Sequence, residues 1–203
     1  LEEGTSAIVP VGTTGESATL TIPEHCKVVG HAVSVVAGRV PVIAGTGGNA
    51  TQEAIELTRA AKEAGADACL SVTPYYNKPT QRGLHEHFTN VAKETRLPII
   101  LYNVPGRTSV NMTPDTVHRL SHIKNVVGIK EASGSLTQIG EIITRCGDGF
   151  SVLSGDDPLL FPVLAIGGKG VISVTANIAP KLCSDMQKFS KSKSDNEIKE
   201  AER

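Results

Sequence analysis

Lys130 closes an apolar, largely β-branched run, Val126-Val127-Gly128-Ile129, and is followed by Glu131. A lysine carried inward by a buried strand loses proton affinity, because desolvation penalises its ammonium form. The neutral amine that results is a nucleophile able to form a Schiff base with a carbonyl compound. Taken alone, such a lysine can equally lay its stem along the sheet and keep a solvated head in a salt bridge. The chain has three tyrosines, Tyr75, Tyr76 and Tyr102. A tyrosine hydroxyl can both give and take a proton, and Thr13 or Thr14 could relay one. Arg107 offers a planar fork that matches a carboxylate, although a single arginine serves equally well as a surface ion-pair partner. Gly12, Gly15 and Gly155 would let backbone N–H groups approach an anion. Tyr75 and Tyr76 could instead be core or interface aromatics.

These residues become a site only if the fold collects them. Apolar segments at 7–11, 40–44, 68–72, 99–101, 126–129, 151–153 and 170–172 read as strands. They are separated by roughly 19 to 33 residues, near the ~31-residue pitch of a (β/α)8 barrel. Helix signals fill the gaps. Thr21-Ile22-Pro23-Glu24 is a capping box with proline in the first turn, and the helix it opens ends before Gly38. A helix from Thr51 stops at Gly65, and others are expected over 83–95, after Thr113-Pro114, after Ser135, over 158–166 and from Pro180. The alternation predicts an α/β fold, a (β/α)8 TIM barrel that is incomplete, with about seven of its eight strands. Residues 1–190 would form the barrel catalytic domain, truncated at its N-terminus, and 191–203 the start of a C-terminal helical region or a linker. The opening Leu1-Glu2-Glu3-Gly4 reads like the end of a helix, so the missing strand is expected ahead of it.

The expected strand ends are polar one after another: Gly12-Thr13-Thr14-Gly15-Glu16-Ser17, Gly45-Thr46-Gly47-Gly48-Asn49, Thr73-Pro74-Tyr75-Tyr76-Asn77, Tyr102-Asn103-Val104-Pro105-Gly106-Arg107-Thr108, Lys130-Glu131, Ser154-Gly155-Asp156-Asp157 and Ser173-Val174-Thr175-Ala176-Asn177. The strand starts carry no comparable set. Parallel barrels build their active sites at the C-terminal strand ends, so this one-sidedness favours the nucleophile reading of Lys130.

Other chemistries fit less well. With 20 Lys and Arg against 21 Asp and Glu, nothing points to nucleic acid or a membrane surface. Cys26, Cys69, Cys146 and Cys183 are scattered singly, which suits a reduced, cytoplasmic compartment. Gly45-Thr46-Gly47-Gly48-Asn49-Ala50 imitates a dinucleotide fingerprint, but the next strand ends in Thr73 and Pro74 with no acid for a ribose. Gly12 to Ser17 lacks the Gly-Lys-Ser/Thr of a P-loop. His118 and His122 stand four apart on an expected helix without the zincin glutamate, and His85 and His87 point apart, so no metal is expected. A non-catalytic barrel fragment is the remaining alternative.

Together with Gly170-Val171-Ile172-Ser173-Val174-Thr175-Ala176-Asn177, these motifs resemble the 4-hydroxy-tetrahydrodipicolinate (dihydrodipicolinate) synthase family over essentially the whole chain. The resemblance implies a lyase of the pyruvate-dependent class I aldolase type, acting in lysine biosynthesis through diaminopimelate. Lys130 would form an imine with pyruvate, with no cofactor, and the derived enamine would attack L-aspartate 4-semialdehyde. Tyr102, Thr13 and Tyr76 would be the proton relay, with Tyr76 reaching a neighbouring subunit's site in a tetramer built from dimers. Thr14 and Ile172 would hold pyruvate, Gly155 would line the pocket, and Arg107 would receive the semialdehyde's carboxylate. Ser17, Ala18, His25, Asn49, Glu53 and Tyr75 match the positions that bind L-lysine as inhibitor, whereas Ile22 stands where some sensitive members have histidine, implying weak to moderate inhibition. The related N-acetylneuraminate and sugar-acid lyases share the lysine and tyrosine, but Arg107 and the Thr13-Thr14 pair favour the synthase branch.

Overall fold

Residues 1–191 are described in a computed structural model of the chain. Six strands, β1 (Ile43–Gly45), β2 (Ala68–Val72), β3 (Ile99–Asn103), β4 (Val126–Glu131), β5 (Ser151–Ser154) and β6 (Gly170–Val171), form one parallel sheet in sequence order. Each crossover carries helix: α2 (Thr51–Glu63), α3 (Gln81–Thr95), α4 (Pro105–Thr108) with α5 (Pro114–Ser121), α6 (Leu136–Cys146) and α7 (Leu160–Ala165). Helix α1 (Ile22–Val36) precedes β1, and α8 (Pro180–Lys191) follows β6. Because β1 and β6 do not pair, the sheet is an open, incomplete (β/α)8 barrel. The expectation for 191–203 falls, beyond Lys191, outside the described residues.

The helix signals act as their chemistry dictates. Thr21 accepts from the Glu24 N–H, and the Glu24 carboxylate accepts from the Thr21 N–H at 2.9 Å, so two orphan donors are satisfied reciprocally. Thr80 and Ser135 cap α3 and α6 in the same way from one side. The short α4 falls in a Pro-Gly stretch where no helix is expected.

The expected first strand, 7–11, is a single parallel bridge between Ile8 and Val42. Its pairing begins correctly, with Ile8 N–H to Pro41 O and Ile43 N–H to Ile8 O. Pro10 then has no N–H for the next rung, and Val11 leaves the extended region at φ 48°. Among the described residues there are therefore six full strands plus this bridge, rather than seven strands.

Alternation along the strands gives the sheet an outer and an inner apolar face. Cys69, Ile99, Leu101, Ile129 and Val152 face outward into the main cluster with Phe88, Leu84, Leu120 and Ile142 of the helices. Leu70, Ile100 and Tyr102 face inward, joined by Val9, Ile43, Leu153 and Ile172. The β3–β4 register contains the irregularity that matters most. Ile99 opposes Val126, but Ile100 opposes Gly128, so Val127 is an extra residue. Without it Tyr102 would oppose Ile129, and Lys130 would point outward. The bulge is what turns Lys130 inward.

Candidate active site

Lys130 and Tyr102 are cross-strand partners on the inner face, with the lysine Nζ 4.4 Å from the tyrosine ring centroid. Their residues are 8% and 5% exposed. Burial lowers the proton affinity of Lys130, Asp156 and Asp157 oppose that shift, and the Arg107 charge reinforces it. Burial raises the Tyr102 pKa, while a hydrogen bond from the Thr13 side chain and the Arg107 charge pull it back. The pair is thus an amine biased toward its neutral form beside a phenol biased toward keeping its proton. Gly155 backs the lysine stem: a Cβ there would stand 3.2 Å from Lys130 Cε and 2.5 Å from Ala132 Cβ.

Two exposed loops flank this pair. Val11 adopts a left-handed backbone, uncommon for a β-branched residue, and so turns the chain into the Gly12–Ser17 loop. The N–H groups of Thr13, Thr14 and Gly15 donate to nothing among the described residues, leaving a cluster of free donors beside Tyr102. Arg107 lies exposed on α4, which Thr108 fastens through Oγ1 bonds to the Val104 and Val110 carbonyls. On the far side, Ile172 joins the inner cluster. Its N–H already donates to Ser154 O at 3.0 Å, so only its carbonyl and side chain remain for a ligand.

Tyr76 does not join this group. It is 90% exposed on a φ of 72°, so its ring cannot pack on Lys130 of its own chain. With Tyr75 it borders a cavity of about 710 Å³ that Ser17, Ala18, Ile22, His25 and Glu53 also line, and that reaches Thr13 and Arg107. His25 has its Nε2 bound at 2.7 Å to the Gly45 carbonyl. Burial and the Glu53 charge raise the Tyr75 pKa. Asn49 does not line the cavity; its carbonyl accepts from Asn77.

Three features escaped sequence reasoning. Asp157 accepts from the Val174 N–H, the Thr175 N–H and the Thr175 hydroxyl, pinning the turn after β6 to the turn after β5. Asp156 leaves its carboxylate without a hydrogen-bond partner among the described residues, near enough to act on both Lys130 and Tyr102. The doubled Asp-Asp after β5 was the available signal for both. Glu131, read only as part of a polar strand end, is 1% exposed and faces away from the site. The Gly45-to-Ala50 stretch has a structural use, since a Cβ at Gly47 would collide with the Val72 N–H. The sheet order shows no reversal at which a dinucleotide could bind.

The model of the dihydrodipicolinate synthetase family matches residues 1–203. The chain belongs to this family. Among its relatives, a 4-hydroxy-tetrahydrodipicolinate synthase from Ectopseudomonas mendocina is 61% identical over 186 residues, which are 92% of this chain and 64% of the relative. The chain thus spans about 64% of the length of the curated synthases it matches. A crystal structure of the family's Aquifex aeolicus member superposes with a TM-score of 0.94 at 52% identity, covering 98% of this chain and 68% of that one. A chloride-inhibited family member from Acinetobacter baumannii, solved with pyruvate, gives 0.93 at 50% identity with the same coverage.

Proposed function

We propose that residues 1–190 carry the catalytic barrel of a 4-hydroxy-tetrahydrodipicolinate synthase, a lyase of the pyruvate-dependent aldolase type. The observation that carries the reading is the buried Lys130 amine, 4.4 Å from the Tyr102 ring at the C-terminal end of the sheet. The synthase activity of similar chains and the pyruvate in the Acinetobacter protein support it.

In this reading the free N–H groups of Thr14 and its neighbours receive the pyruvate carboxylate, with Gly155 and the Ile172 carbonyl bounding the pocket. The neutral Lys130 amine adds to the ketone carbon, and loss of water gives an imine, whose nitrogen withdraws electrons from the methyl group. Loss of a methyl proton then gives an enamine. Its carbon attacks the aldehyde carbon of L-aspartate 4-semialdehyde, whose carboxylate pairs with Arg107, and the new alkoxide takes up a proton. Tyr102, with Thr13 behind it, moves these protons, because its retained phenolic proton can be donated and recovered. The substrate's own amine then attacks the imine carbon, closes the ring and frees Lys130. The pathway is lysine biosynthesis through diaminopimelate, in the cytoplasm.

Tyr76, too exposed to serve its own chain, would extend the relay of a neighbouring copy in a homotetramer. L-Lysine would bind weakly to moderately in the cavity of Ser17, Ala18, His25, Glu53 and Tyr75, near Asn49, and inhibit. The test is the full chain assayed for condensation of pyruvate with aspartate semialdehyde and for cleavage of N-acetylneuraminate. Condensation alone supports the reading, and cleavage without condensation overturns it.

A further inference from the structure

The two rungs that place Lys130 opposite Tyr102 have an outer face as well. On that face Glu131 stands opposite Asn103, the residues next in sequence to the reactive pair. Glu131 is 1% exposed and accepts three converging donors: Asn103 Nδ2 at 3.0 and 3.1 Å, the Ser133 N–H at 2.7 Å and Gln138 Nε2 at 3.2 Å. Asn103 in turn donates to Asn111 Oδ1 and accepts from the Met112 N–H. Asn111 and Gln138 exchange two further bonds. One carboxylate therefore joins the ends of β3 and β4, the first turn of α6, and the segment that returns from the Arg107 helix.

We propose that Glu131 is a positioning residue, whose clasp on the outer face fixes the Lys130–Tyr102 geometry on the inner one. This rests on the reading of Lys130 as the imine-forming amine. The bulge at Val127 makes such a clasp necessary, because a slip of one residue between β3 and β4 would turn Lys130 out of the site. Only a carboxylate suits the position, since an amide would set N–H against N–H on one of its two atoms. Glu131 acts by geometry: the charges that bear on Lys130 are those of Asp156, Asp157 and Arg107.

The test is Glu131→Gln in the full chain, with urea unfolding to fix the folded fraction. A displacement of the pair of about 1 Å is expected to lower kcat per folded molecule roughly 10- to 100-fold. KM for pyruvate should change less than about 3-fold, because the donor loop of Thr13 and Thr14 takes no part in the clasp. The double variant N103D/E131Q restores one donor and one carboxylate across the rungs. It should be at least about tenfold faster than E131Q, a coupling that a general loss of stability would not produce. If E131Q does not fold, Gln138→Met removes only the outermost donor, and a fall in kcat of about 3-fold at constant KM is expected. Wild-type kcat in folded E131Q or folded Q138M, or a double variant no faster than E131Q, overturns the clasp alone. Failure of the unsubstituted chain to trap pyruvate with borohydride overturns both the clasp and the reading beneath it.

Discussion

His87 on α3 is 5% exposed, with Nδ1 held 2.9 Å from the Thr51 hydroxyl at the start of α2 and Nε2 without a partner among the described residues. Burial pushes its pKa down from 6.5 to about 4. Protonation would bury an imidazolium whose second N–H finds no acceptor. The folded pKa lies below the unfolded one, so this contribution to stability is complete above pH 6.5 and is lost as the pH falls toward 4. At ~1.4 kcal/mol per pH unit the full loss is about 3 kcal/mol, and about 2 kcal/mol is gone by pH 5. Against a typical domain stability of 5–15 kcal/mol that is a large fraction. His87→Gln keeps a polar partner for Thr51 but does not titrate, and it isolates the effect from the carboxylates that also protonate. Urea unfolding at pH 7.5 and pH 5 should show wild type losing about 2 kcal/mol more than H87Q. Equal losses, or an NMR titration of His87 with its midpoint near 6.5, would refute the argument.

Gly128→Ala should destabilise by about 1–3 kcal/mol, because its Cβ would stand 2.5 Å from the Ser151 carbonyl oxygen on β5, whereas Gly30→Ala, which meets nothing within 4 Å on α1, should stabilise by roughly 0.5–1 kcal/mol; thermal unfolding of both checks the pair. Asp156→Asn removes the carboxylate that most strongly supports the charged form of Lys130, so the pH dependence of imine formation should shift to lower pH; an unchanged profile would remove Asp156 from the account. Tyr102→Phe should preserve pyruvate binding while lowering the condensation rate about 100-fold or more, read as kcat at unchanged KM.

Much of the scaffold was legible because its signals are local. The Thr21 capping box works within four residues, and the pitch of alternating strands and helices follows from binary patterning. The polar strand ends that follow from this pitch place Lys130, Tyr102, Thr13 and Arg107 on one rim, and in the structure these four stand near one another. What stayed hidden depends on pairing between distant segments. The inward aim of Lys130 turns on Val127 being an extra residue relative to β3, which the run Val-Val-Gly-Ile cannot disclose by itself. Pro10 and the left-handed Val11 reduce an apolar, strand-like segment to one bridge, although the proline was in plain view. Glu131 looks like one more polar strand-end residue until alternation places it behind the sheet. The exposure of Tyr76 likewise separates it from its own chain's Lys130, a distinction invisible in the Tyr75-Tyr76 pair.

The central claim is that Lys130 is an imine-forming amine for pyruvate. Borohydride reduction of the full chain with pyruvate, followed by peptide mass mapping, tests it most directly. One reduced pyruvyl group per chain is expected, located on Lys130 and absent from a Lys130→Met variant. An unmodified Lys130, or an adduct that persists on another lysine in that variant, would contradict it.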